Sequence, residues 1–129
     1  MSWDPADLDR VGTATELDLA ARRDDESLSG YTTMWVARVG SSLYVRSAYG
    51  PESAWYRRAI RHGRGRIRAG GIERDVVLTH LTPDDELHTE IDNAFHAKYD
   101  RYGPRIVATV VGSDAAAVTL RLDPAQLDA

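Results

Sequence analysis

The sequence predicts a single α+β domain, residues 1–129, whose strands close into a small antiparallel β-barrel of six to seven strands with two or three helices. Three observations predict it. Short runs rich in β-branched and aromatic residues recur along the chain and are joined by glycine-bearing turns, as in antiparallel hairpins. The helical stretches do not alternate with strands as crossover connections would, which argues against a doubly wound sheet. The chain has 129 residues and no internal repeat, enough for one domain with its own core. Antiparallel strands must have their edges covered or closed, and a barrel closes them economically.

Asp4 and Pro5 predict a helix start, with Leu8 and Val11 facing inward and Gly12 stopping the turn. Leu17 to Ala21 reads as a half-buried strand and Arg22 to Gly30 as a polar loop. Tyr31 to Val39 and Leu43 to Tyr49 form a predicted hairpin around Gly40-Ser41-Ser42, with the faces of Trp35, Arg38, Tyr44 and Arg46 left open by its register. A short helix follows, in which Trp55, Tyr56, Ala59 and Ile60 make an apolar stripe and Arg57, Arg58 and Arg61 lie off it, and Gly63 ends it. Gly65 to Ala69 and Ile72 to Leu81 are strands joined by Gly70-Gly71. Thr82-Pro83-Asp84-Asp85 predicts the start of a longer helix, through Leu87, Ile91, Ala94, Phe95 and Tyr99, that ends at Gly103-Pro104. Arg105 to Val111 and Ala116 to Leu122 complete the prediction as a last hairpin.

Composition narrows function. There is no cysteine, which excludes disulfides, thiolate metal sites and a cysteine nucleophile. No apolar run is long enough to span a bilayer and no leader-like segment opens the chain, so a cytoplasmic location is expected. A net charge of -4 argues against a general nucleic-acid binder. Within this acidic chain Arg57, Arg58, Arg61, His62, Arg64, Arg66 and Arg68 run together with no acid among them. The run reads equally well as an oxyanion site or as a solvated face.

His88, Asp92 and His96 repeat every four residues on one helical face. The outer two lie about two helical pitches apart, too far for one ion, and a surface ion-pair row explains the spacing, so no metal is expected. Asp24-Asp25 falls in a polar loop and Asp84-Asp85 at a helix start, which leaves no acid/base pair. Trp55 carries a ring that could stack on a ligand, whereas Tyr56 and Ile60 read as core.

The segments Thr32-Thr33 before Trp35-Val36, Leu43-Tyr44-Val45-Arg46-Ser47, Gly50, Ser53-Ala54-Trp55-Tyr56 and Ala97-Lys98-Tyr99 resemble a bacterial family catalogued as domain of unknown function 2255. More distantly they resemble the deazaflavin-dependent nitroreductases and quinone reductases. The resemblance implies a split β-barrel with a flavin-like ring lying on the barrel. It also implies that Val45, Ser47, Gly50 and Trp55 match the reductases' cofactor-side strand and helix, with Arg58 where they carry an asparagine. The reductases' basic phosphate-binding segment is replaced here by Glu26-Ser27-Leu28-Ser29-Gly30-Tyr31.

Two functional readings follow. The first is a flavin- or deazaflavin-binding barrel (FMN or deazaflavin as cofactor), a reductase of a small substrate, in which Ser47, Gly50, Trp55, Arg57, Arg58 and Arg61 frame an anionic ligand. The second is a non-enzymatic ligand-binding or structural module that kept the barrel and lost the cofactor site. Three tryptophans in a small chain, and the habit of related barrels to place ligands between subunits, predict a homodimer.

Overall fold

In the computed structural model, residues 2–125 are described. The sequence-predicted helix start is present: the Asp4 carboxylate accepts from the amides of Ala6 and Asp7, and α1 (Pro5–Thr13) buries Leu8 and Val11. Then come β1 (Leu17–Ala21), β2 (Thr32–Met34), β3 (Ala37–Val39) and β4 (Ser42–Arg46). α2 (Ala54–His62) precedes the hairpin β5 (Arg64–Ala69) and β6 (Ile72–His80). α3 (Leu87–Tyr99) leads through a 3-10 turn to the single helical turns α4 (Pro104–Val107) and α5 (Ser113–Ala116), and β7 (Thr119–Pro124) closes the order. Among the described residues no helix is long and apolar enough to cross a membrane.

The seven strands form one antiparallel sheet in the order β2-β1-β5-β6-β7-β4-β3. Its two edge strands, β2 and β3, are consecutive in the chain and separated only by Trp35 and Val36. A flat sheet would hold its edges far apart, so this one curls until they meet at that link, giving a split half-barrel. The predicted strand from Tyr31 to Val39 is therefore two strands on opposite edges. Gly70 and Gly71 turn the β5–β6 hairpin with φ +58° and +82°, which glycine alone adopts at little cost, and Ala69 pairs with Ile72 across them.

The last hairpin is not formed. β7 already has β6 on one side and β4 on the other, so no position remains beside it for residues 105–111. Pro104 starts a helical turn after Gly103 instead, with Ala108 N–H donating to the Pro104 carbonyl at 2.9 Å. Val107 and Val110, three residues apart, face α3 together, and this helical spacing overrides the strand preference of their side chains. The predicted start of the long helix also moves: α3 begins at Leu87 with Glu86, not Thr82, at its N-cap, and the Asp85 carboxylate just before it accepts from Leu87 N–H at 2.9 Å.

The core has two parts. Inside the barrel Leu17, Leu19, Val45, Ile67 and Leu120 form one buried cluster with Trp3, Trp55 and Tyr56. Between α3 and the sheet, Ile91, Phe95 and Tyr99 of the helix pack with Ala37 and Tyr44 of the strands. β4 serves both because alternate side chains point to opposite faces: Leu43 and Val45 enter the barrel, and Tyr44 faces α3. That register sends Arg46 to the α3 face and leaves Arg38 exposed beside Asp9.

Candidate functional site

The arginine run spans two elements: α2 carries Arg57, Arg58, Arg61 and His62, and β5 carries Arg64, Arg66 and Arg68. The buried residues of α2, Trp55, Tyr56 and Ala59, pack on the barrel, and Gly63 ends the helix in the left-handed conformation with its N–H donating to the Ala59 carbonyl at 2.7 Å. Ile60, expected in the stripe, is 48 % exposed, because a helix resting on a curved sheet buries a narrower face than its apolar residues suggest. The outward side presents Ala54, Arg57, Arg58 and Arg61 around a concavity of about 310 Å³.

The run carries no acid in sequence, but the fold brings acids to it. Asp24 forms an ion pair with Arg61, its Oδ1 3.1 Å from Nε, and lies 2.8 Å from His62 Nε2. Asp75 accepts from Arg66 Nε at 2.9 Å, holding the Arg66 guanidinium above the ordinary arginine range. Arg68 pairs with Asp18 at 3.5 Å and lies over the Tyr31 ring at 3.7 Å. Among the described residues Arg57, Arg58 and Arg64 have no carboxylate within 4.0 Å. Arg57 and Arg58 share the concavity, which concentrates the uncompensated charge at one place.

The other proposed site residues sit below this surface. Ser47 is buried; its hydroxyl donates to the Gly50 carbonyl at 2.6 Å, and the Gly50 N–H donates to the Ser47 carbonyl at 3.0 Å. Gly50 takes φ +84°, which this tight turn requires. The turn joins β4 to α2 and so sets where the arginines lie. Trp55 is 8 % exposed and meets the Tyr56 ring edge to face at 5.8 Å, so within the chain it offers no free face for a ligand ring. Trp3, whose Nε1 donates to the Leu122 carbonyl at 2.8 Å, is likewise used inside the chain. Of the three tryptophans that motivated a dimer, only Trp35 keeps partial exposure, stacked on Tyr99 at 4.0 Å.

A buried polar cluster was not legible beforehand. Arg46, 2 % exposed, donates to Asp92, to Thr119 Oγ1 at 2.8 Å and to the Val110 carbonyl at 2.7 Å, and its Nη2 lies 3.1 Å from His88 Nδ1. His88 Nε2 lies 2.7 Å from the Thr82 carbonyl. These partners assign the histidine a hydrogen on Nε2 and an acceptor at Nδ1. Burial lowers the Arg46 pKa, and the hydrogen bond and charge of Asp92 oppose that shift. The expected surface row is thereby corrected: His88 and Asp92 turn toward Arg46, and only His96 makes a surface pair, with Asp100 at 2.8 Å. The i, i+4 spacing pointed to one face, but nothing in the helix itself named Arg46 on β4 as its partner. Every polar group of this cluster is used internally, which makes it a brace between α3, β4, β7 and the 107–112 segment.

A second brace closes the barrel. Lys98 Nζ donates to the carbonyls of Gly12 and Val36, both at 2.9 Å, and burial lowers its pKa to about 8. Tyr99 Oη accepts from Val36 N–H at 3.2 Å and donates to the Thr15 carbonyl at 2.8 Å; burial raises its pKa to about 12.

Solved structures share this architecture. The heme storage protein HutZ from Vibrio cholerae superposes with a TM-score of 0.68 at 15% identity, over 98% of this chain and 93% of that one. An FAD-binding protein from Mesorhizobium loti gives 0.59 at 19% identity, over 98% and 93%. An F420 reductase gives 0.58 at 18% identity, over 92% of each chain. At these identities the likeness is one of fold: the split barrel of the FMN-binding type. No protein of curated function matches the sequence. The family "Uncharacterized protein conserved in bacteria" matches residues 7–122, nearly the whole barrel with its arginine helix and both braces, and the chain belongs to this family, DUF2255.

Proposed function

We propose that the chain binds an anionic small molecule on the outer face of α2, and that this molecule is a flavin- or deazaflavin-type cofactor held by its charged end. Arg57 and Arg58 make the principal contacts, Arg61 flanks them, and Ser47, Gly50 and Trp55 support the helix that carries them. The observation behind this reading is the pair of neighbouring guanidinium groups without carboxylate partners among the described residues, opening into one concavity. A guanidinium so placed binds phosphate or carboxylate through two parallel hydrogen bonds. The fold supports the choice of ligand, since an FAD-binding protein and an F420 reductase are built on it.

The residues fit the two ends of such a cofactor unequally. The anionic end is matched by charge and by room. The ring is not matched by Trp55, which is buried; the apolar surface on this stretch is that of Tyr49, 90 % exposed, and Ile60. The bound cofactor would supply electron or hydride transfer, and the chain would supply position and electrostatics. The test is a visible spectrum of the purified protein followed by titration with FMN and with deazaflavin. A saturable spectral change with either supports the reading, and none with both overturns it.

The reading of a barrel without redox chemistry draws on a different observation. Ser47 and Gly50 bond to each other, Trp55 is enclosed, and residues 26–31 carry no basic side chain. Anion binding with no reduction of a bound flavin by nicotinamide or of a deazaflavin's acceptor would favour it.

A further inference from the structure

A second hollow, of about 460 Å³, opens beside the first and is lined by Arg23, Asp24, Asp25, Arg58, Arg61 and His62. Arg58 and Arg61 therefore wall both. The two hollows differ in chemistry. The first presents guanidinium groups and no acceptor, whereas the second adds two carboxylates to its cations. Asp24 is engaged by Arg61 and His62. Asp25 accepts from Ser27 N–H at 3.0 Å and Ser27 Oγ–H at 2.6 Å, both through Oδ1. Those bonds lower its pKa and fix the carboxylate in the loop, and no hydrogen bond among the described residues occupies Oδ2. A positioned, ionised carboxylate next to an oxyanion hollow accepts hydroxyl hydrogens well and repels a second anion.

We propose that the two hollows together select an anion carrying hydroxyl groups beside its charge, a phosphorylated sugar or polyol, with the phosphate on Arg57 and Arg58 and a hydroxyl on Asp25. This rests on the anion site proposed above and refines it. A ribityl or ribosyl phosphate end suits the pair of hollows. An extended polycarboxylate tail does not, because beyond the arginines it meets Asp24 and Asp25.

Calorimetric titration of the full chain with methyl phosphate, ribose 5-phosphate and triglutamate tests this. Ribose 5-phosphate is expected to bind roughly three- to tenfold more tightly than methyl phosphate, the worth of one added hydrogen bond, and triglutamate more weakly than either. Asp25→Asn keeps an oxygen for Ser27, and Asp25→Ala removes the group; both should erase the preference, and because each removes a negative charge neither should weaken methyl phosphate binding. Arg58→Ala should weaken both phosphates by about tenfold or more. Equal affinity for the two phosphates in the parent, a preference that survives both Asp25 variants, or triglutamate binding as tightly as ribose 5-phosphate overturns the hydroxyl site and leaves the anion site standing. No binding of any probe, or binding indifferent to Arg58→Ala, overturns the anion site itself.

Discussion

The Tyr99 hydroxyl lies 3.2 Å from the backbone nitrogen of Val36, one of the two residues that separate the sheet's edge strands. It accepts there and donates to Thr15, while the neighbouring Lys98 binds the Val36 carbonyl. At the split in the barrel the backbone of Val36 has no strand partner, and α3 supplies one from its last two residues. An unpaired buried amide would cost about 1–3 kcal/mol.

Tyr99→Phe should therefore destabilise the protein by about 1–3 kcal/mol while keeping the ring stack on Trp35. Urea unfolding at neutral pH measures it. A change below about half a kcal/mol would mean that the hydroxyl does not hold the split.

Lys98 gives the fold a pH dependence of defined sign. In the folded chain it titrates at about 8, against 10.5 for an ordinary lysine, because burial disfavours its charge. Between those values the unfolded chain binds more protons, so stability rises as pH rises. Tyr99, raised to about 12, acts oppositely above its ordinary 10.0, where the folded chain holds the extra proton. The window from pH 8 to 10 thus isolates the lysine. The urea midpoint should rise across it, and Lys98→Met should flatten the rise; an equal slope in the variant would contradict the assignment.

The buried arginine is expected to show strong coupling. Asp92→Ala leaves the enclosed Arg46 guanidinium without its anion and should cost about 3 kcal/mol, the low end for a buried pair because Asp92 is itself 29% exposed. Arg46→Met combined with Asp92→Ala should recover part of that loss. A double-mutant cycle on unfolding free energies measures the coupling, and additive losses would show that the two residues act independently.

Most of the barrel was legible because its signals are local. Gly70-Gly71 between two alternating runs specifies a hairpin, and Asp4-Pro5 specifies a helix start, whatever surrounds them. Local signals mislead where distant parts of the chain decide. Val107 and Val110 favour a strand by type, yet β7 had no free edge, so their helical spacing prevailed. Tyr31 to Val39 was continuous in pattern and broken in space, because the curled sheet brings its edges together at Trp35-Val36. The site was legible in part for the same reason. The arginines were visible as a run, but only the fold shows that Asp18, Asp24 and Asp75 neutralise several of them and spare Arg57 and Arg58. Trp55 looked available by its position on the helix, and its burial depends on the barrel beneath it.

Arg57 and Arg58 are proposed to hold the charged end of a ligand. Melting of the parent and of the Arg57→Ala/Arg58→Ala variant, each with and without FMN or deazaflavin, tests this most directly, since a ligand bound only by the native state raises the midpoint by mass action. Arg57 is exposed and Arg58 half-buried, and neither has a carboxylate partner among the described residues, so the unliganded midpoints should agree to within about 1 kcal/mol of stability. The parent should gain stability with the ligand and the variant should not. Equal gains in both proteins would mean that the ligand is held without Arg57 and Arg58.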